Sequence, residues 1–290
     1  MKKSMKLAAI ASVGLLISAG SWAGPVILGG DDLTDHGSRV GGANQAGWLY
    51  IEKAISNLYS AQTRPGALTV DIVALGSADP GTGIFTSSNA GGAINSVANV
   101  LGRSLSFYDG AANISTFFTQ LANGTVNPRI IWLAGTGASN DLDSAEGGAL
   151  TTNAAAINSF VGSGGGLMAH GSGINAYGWL TALLPGLSEV SGCNSSGATL
   201  TAAGIAAFPG LSNSDIASNA GPCHSHFEGN FGGLTTLGLD GGGLSYIIGA
   251  AGGGGGSITE QPTGVPEPAS LLLVGAGLAG LAAMRRRKAA

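Results

Sequence analysis

The chain has 290 residues, 52 of them glycine, two cysteines and a formal net charge of −4. Its glycine share is more than double the usual one without the period of collagen, and its length suits one domain of about 225 residues with a sizeable core. Seven of the twelve Lys and Arg lie in the terminal segments, so residues 24–264 hold five cations against fifteen acids. An acidic body disfavours nucleic acid and anionic lipid as partners and leaves cations or neutral glycans, extracellular polysaccharide among them.

Met1 to Lys6 carries three lysines, Leu7 to Ala19 is an apolar run too short to span a bilayer, and Ser21-Trp22-Ala23 places small residues where signal peptidase cuts. Residues 1–23 read as a secretory signal peptide. Export leads to an oxidising compartment, where Cys193 and Cys223 are expected to form a disulfide stabilising by about 3 kcal/mol.

The body, residues 24–250, opens on Pro25-Val26-Ile27-Leu28, an apolar run stopped by Gly29-Gly30 and read as a buried strand. A polar loop from Asp31 to Gly37 follows. Trp48, Ile51, Ile55 and Leu58 recur at helical spacing and predict a helix from about Gln45 to Ser60. Leu68 to Leu75 reads as a strand, Ile94, Val97 and Leu101 as a helix face, and Leu105 to Tyr108 as a strand. Ile114, Phe117, Phe118 and Leu121 predict a helix with Gly124 as its C-terminal cap. Pro128 to Leu133 is the next strand, Leu150 to Val161 the next helix, and Gly166 to His170 the strand after it. A helix from Tyr177 to Leu184 ends at Pro185, Ser188 to Asn230 reads as mostly irregular, and Leu234 to Leu239 with Leu244 to Gly249 reads as a hairpin.

Apolar strands alternating with helices predict an α/β fold, a Rossmann-like three-layer sandwich with a mostly parallel sheet covered on both faces. Ligands of such sheets bind outside the carboxyl ends of the strands.

A glycine-rich linker, residues 251–264, leads to the C-terminal segment 265–290. There Val265-Pro266-Glu267-Pro268 precedes an apolar helix over about 269–284 and a basic tail, Arg285-Arg286-Arg287-Lys288. As a helix the apolar run measures roughly 24 Å, just short of the hydrocarbon core, so it crosses the membrane only with snorkelling or local thinning. The cations keep to the cytoplasmic side and leave the body outside.

This order of Pro266-Glu267-Pro268, apolar helix and Arg285, Arg286, Arg287 resembles the PEP-CTERM sorting signal of Gram-negative bacteria. The resemblance implies recognition in the inner membrane by an exosortase, cleavage near the Pro-Glu-Pro motif, and passage to the cell surface or beyond. It speaks for destination and processing only.

Phe160-Val161, the glycine run 162–166, a short strand and His170 resemble the trehalose-utilisation-type branch of the class I glutamine amidotransferase-like fold. Members of that fold place a cysteine nucleophile after this strand. Here the place holds His170, so glutamine hydrolysis by that mechanism is not expected. Ser172 lies in Ala-His-Gly-Ser-Gly, which lacks the nucleophile-elbow pattern.

All four histidines, His36, His170, His224 and His226, fall in predicted loops or at strand ends, with Asp31, Asp32 and Asp35 around the first and Glu228 after the last. Imidazoles beside carboxylates suit a divalent metal such as zinc, making His36, His170, His224, His226, Asp32 and Asp35 the candidate ligands; solvated or loop-capping histidines are the competing reading. Asp141-x-Asp143-x-x-Glu146 supplies oxygen atoms suited to calcium without the EF-hand glycine or glutamate; the same acids also suit a helix N-terminus. Catalytic residues are not assignable. The expectation is an exported, exosortase-sorted envelope or extracellular-matrix protein with a binding or structural body. The alternative is a metal-assisted hydrolase acting on cell-surface glycans.

Overall fold

The structure, a computed structural model, describes residues 24–86, 89–135, 142–171, 176–217 and 222–249. The expected signal peptide, linker and C-terminal membrane helix lie outside these residues. Among the described residues no helix is long and apolar enough to cross a membrane.

In chain order the elements are β1 (Val26–Gly29), β2 (Gly37–Val40), β3 (Ala43–Ala46), α1 (Gly47–Ala61), β4 (Val70–Leu75), α2 (Ala90–Leu101), β5 (Leu105–Tyr108), α3 (Ala111–Ala122) and β6 (Pro128–Leu133). They continue with α4 (Ser144–Thr152), α5 (Ala154–Gly162), β7 (Gly166–His170), α6 (Leu180–Leu183), β8 (Leu187–Ser191), β9 (Thr199–Leu200), α7 (Ala202–Ala207), α8 (Asn213–Ala217), β10 (Ser225–Gly229), β11 (Thr235–Leu239) and β12 (Ser245–Gly249).

Eight strands form one mixed sheet in the order β5-β4-β6-β7-β1-β12-β11-β9. The first five run parallel, and the last three join antiparallel on the far side of β1. The fold is therefore α/β with a large, mostly parallel sheet. Successive strand side chains point to opposite faces, so an uninterrupted apolar strand needs a cover on each side. Ile27, Ile72, Ile130, Trp132 and Met168 pack with Trp48, Ile55 and Ile94 from α1 and α2. Their chain neighbours Val26, Leu28, Val73, Ile131 and Leu167 pack instead with Ile114, Phe117, Ile157 and Phe160 from α3 and α5.

Four local expectations need correction. The helix expected over 150–161 is two, α4 and α5, meeting at Asn153. Thr151 and Thr152 bond back to the carbonyls of Gly147 and Gly148 and Asn153 to that of Ala149, side-chain competition that weakens the helix there. The helix expected from Tyr177 is regular only over Leu180–Leu183. The stretch 188–230 holds β9, α7, α8 and β10 and most of β8, elements too short to carry a periodicity. The hairpin of β2 and β3 follows the Asp31–Gly37 loop where no strand was expected. Its end, Ala46, is the one non-glycine residue with positive φ among the described residues, at 53°.

Candidate functional site

The site grows from the carboxyl end of β1. A side chain on Gly29 would run into the Asp31 carboxylate, and one on Gly30 into the Ser225 carbonyl. The two glycines thus let Asp31 fold back onto its own strand while residues 222–225 lie across it. Asp31 is fully buried, and its Oδ1 accepts from the Leu33 amide at 3.0 Å.

Beside β1 runs β7, whose last residue, His170, is in register with Gly29. Its Nδ1 stands 2.6 Å from Asp31 Oδ1, and Trp132 Nε1, from the end of β6, is 3.1 Å from its Nε2. An indole can only donate, so Nε2 accepts and the ring proton sits on Nδ1, donated to Asp31. Both ring nitrogens are engaged inside the core. Tyr50 from α1 meets the His170 ring edge-on with centroids 6.3 Å apart. Burial first, and then the charge of Asp31, push the Tyr50 hydroxyl well above its ordinary pKa.

One residue on, Asp32 lies at the margin of the core, its side chain 13% exposed beneath the more exposed His224. Its Oδ2 is 2.8 Å from His224 Nε2. Its Oδ1 is 3.2 Å from His36 Nε2, close enough for an ion pair but off the direction of a good hydrogen bond. Burial raises the Asp32 pKa, but the contacts from His224 and His36 outweigh it and leave it at about 2. The contact with the Asp32 carboxylate in turn raises both His36 and His224 against a smaller opposing effect of burial. Asp35 is raised by burial and by the charge of Asp32.

His224 is delivered by a segment stitched onto β1. Asp32 N donates to the Pro222 carbonyl, while His224 N and Ser225 N both donate to the Gly30 carbonyl. Cys223, which bridges to Asp31, is joined to Cys193 by the expected disulfide, with Cα atoms 5.9 Å apart. His226, two residues on in β10, has Nδ1 2.6 Å from the Gly192 carbonyl and Nε2 3.2 Å from Glu228.

Of the six nominated metal ligands, the fold draws Asp32, His36 and His224 together with Asp35 beside them, holds His170 in the core, and turns His226 toward Gly192 and Glu228. Among the described residues no three His, Cys, Asp or Glu side chains are disposed to share one ion. In the surface group the Asp32 carboxylate itself stands against both imidazoles. Asp143 and Glu146 form a capping box at the start of α4. Glu146 also accepts from the Gly110 amide at 2.7 Å, so these two acids serve the helix end. Asp141 and Ser172 lie outside the described residues.

Sequence reasoning named Asp31 only as a neighbour of His36 and overlooked Trp132. Asp31 directly follows a strand-ending glycine pair, which is the signal that it sits at the sheet edge. Trp132, inside an apolar strand, carries no such signal.

No curated protein and no solved structure matches the chain, so the resemblance of the body to amidotransferase-like domains finds no support there. Residues 264–288 match the PEP-CTERM protein-sorting motif, which takes in Pro266, Glu267, Pro268 and the basic cluster from Arg285 to Lys288 and marks an exported protein with exosortase as its processing partner.

Proposed function

We propose that this is an envelope or extracellular-matrix protein whose acidic α/β body binds or builds rather than catalyses. The observation that carries the reading is the sorting motif at residues 264–288. On this reading signal peptidase removes residues 1–23, the helix at 269–284 holds an inner-membrane intermediate, and exosortase releases the body to the cell surface or the medium. The binding or structural role is favoured over metal-assisted glycan hydrolysis by the engagement of both His170 nitrogens and by the way Asp32 stands against both His36 and His224.

Fractionation of an exosortase-positive host expressing the chain with and without residues 265–290 tests the sorting. The full chain is expected at the surface or in the medium and the truncated one in the periplasm; identical distributions refute it. Elemental analysis of the exported protein tests the role. A stoichiometric divalent metal would restore the hydrolase.

A further inference from the structure

At the β5 edge of the sheet, three strands from β7 and its His170, a groove of about 610 Å³ is lined by residues 79 and 81–83, by Asn95 and Asn99 of α2, and by Leu105–Tyr108. β5 ends the sheet order, so one of its sides has no strand partner among the described residues. Ile72 N bonds the Ser104 carbonyl and Gly76 N the Tyr108 carbonyl. By the alternation of a parallel ladder, the amides and carbonyls of Leu105 and Phe107 then face the open side. The groove thus has fixed backbone donors and acceptors along one wall.

The facing wall is held in shape from within. Gly81 N donates to Asp79 Oδ1 at 2.8 Å, and the Asn95 amide nitrogen donates to the carbonyls of Gly81 and Ile84 at 3.2 and 3.1 Å. Gly81 and Gly83 have φ of 89° and 74°, left-handed conformations that leave the turn a narrow choice of residues. The Thr82 hydroxyl, the Asn99 amide and the Ser106 hydroxyl have no hydrogen-bond partner among the described residues, and Phe107 and Tyr108 are half-buried.

The chemistry of the lining narrows the ligand. Its volume is that of a small-molecule or oligomer subsite. Among the described residues it holds no Lys, Arg or His and one carboxylate, Asp79, which opposes phosphate, sulfate or uronate. Its chiefly polar groups oppose an acyl chain, which would leave them unpaired. Neutral amides, hydroxyls and backbone groups beside an aromatic ring match a ligand rich in hydroxyls and free of charge.

We propose that the β5 groove binds a segment of neutral polysaccharide. The proposal rests on the reading of the chain as an envelope or matrix protein, which places it among such polymers. The test is affinity electrophoresis of the exported protein through native gels containing dextran, laminarin or galactomannan, with alginate as the charged control, for wild type and the Asn99→Ala/Ser106→Ala double variant. Retardation by at least one neutral polymer, weakened five-fold or more in the variant at unchanged melting temperature, is expected. Failure of all three neutral polymers to retard the wild type, equal retardation of the variant, or retardation by alginate alone overturns it. Retardation with altered localisation would sink the sorting instead and leave the groove standing.

Discussion

Two adjacent residues, Asp31 and Asp32, each hold histidine, and with opposite consequences. Asp31 sits in the core and holds His170 against Trp132, joining the ends of three neighbouring parallel strands. Asp32 sits at the rim and contacts His36 and His224, the latter with a side chain 42% exposed. In low dielectric an unpaired polar group costs several kcal/mol, whereas removal of the 42% exposed His224 side chain lets water reach the Asp32 oxygen it covered. The inner pair is therefore a structural commitment, and the outer group is an adjustable contact.

Removing one partner from each group separates them most sharply. His170→Ala leaves the Asp31 carboxylate buried with the Leu33 amide alone, and a loss of about 3–5 kcal/mol is expected in denaturant unfolding. His224→Ala is expected to lose about 1 kcal/mol or less by the same measurement. Equal losses would erase the distinction between core and rim.

The disulfide gives the next largest effect. Cys193→Ser/Cys223→Ser opens a loop spanning a sequence separation of 30, and a loss of roughly 3–4 kcal/mol is expected in thermal melts.

Protonation sharpens the comparison further. The raised folded pKa values of His36 and His224 mean that their contribution is fully present below the ordinary histidine value of 6.5 and fades as pH rises through the raised ones. The depressed Asp32, at about 2 against 3.8, contributes above its ordinary value and loses that contribution as pH falls toward 2. Melting temperature followed from pH 5 to 9 is thus expected to decline in its upper half for the wild type and to run flatter in Asp32→Asn. Parallel curves would show that the outer group is not coupled to folding.

A comparably small effect, of opposite sign, lies on the hairpin that carries the chain from the rim loop into α1. Ala46 has φ 53° and ψ −130°, strained for any residue with a Cβ. The strain is held by the paired β2 and β3 and by Trp48 Nε1 donating to the Thr34 carbonyl at 2.7 Å. Ala46→Gly should stabilise by about 1 kcal/mol in unfolding experiments. Destabilisation there would assign Ala46 a packing role instead.

Much of the fold was legible because burial on both faces leaves a one-dimensional trace. Val26 to Leu28, Ile72 to Leu75 and Ile130 to Leu133 are uninterrupted apolar runs, and the α1 and α3 stripes recur at helical spacing. The break at Asn153 and the short elements between 187 and 229 left no such trace, since they depend on side-chain back-bonding and on partners far along the chain. The site was legible in part. Histidines at strand ends were visible as candidates, but composition could not separate a ring held between an indole and a carboxylate from one facing solvent.

By itself, then, the sequence determined the sorting segment, the acidic body, the alternation of strands and helices and the pair of cysteines, because each is written in contiguous residues or in simple counts. Tertiary structure alone decided that Asp31 takes the core histidine and Asp32 the two more exposed ones, that His224 and not His226 reaches the end of β1, and that β5 has an open side among the described residues. Those outcomes depend on sheet order and register, which bring together residues more than a hundred positions apart and which no local pattern encodes.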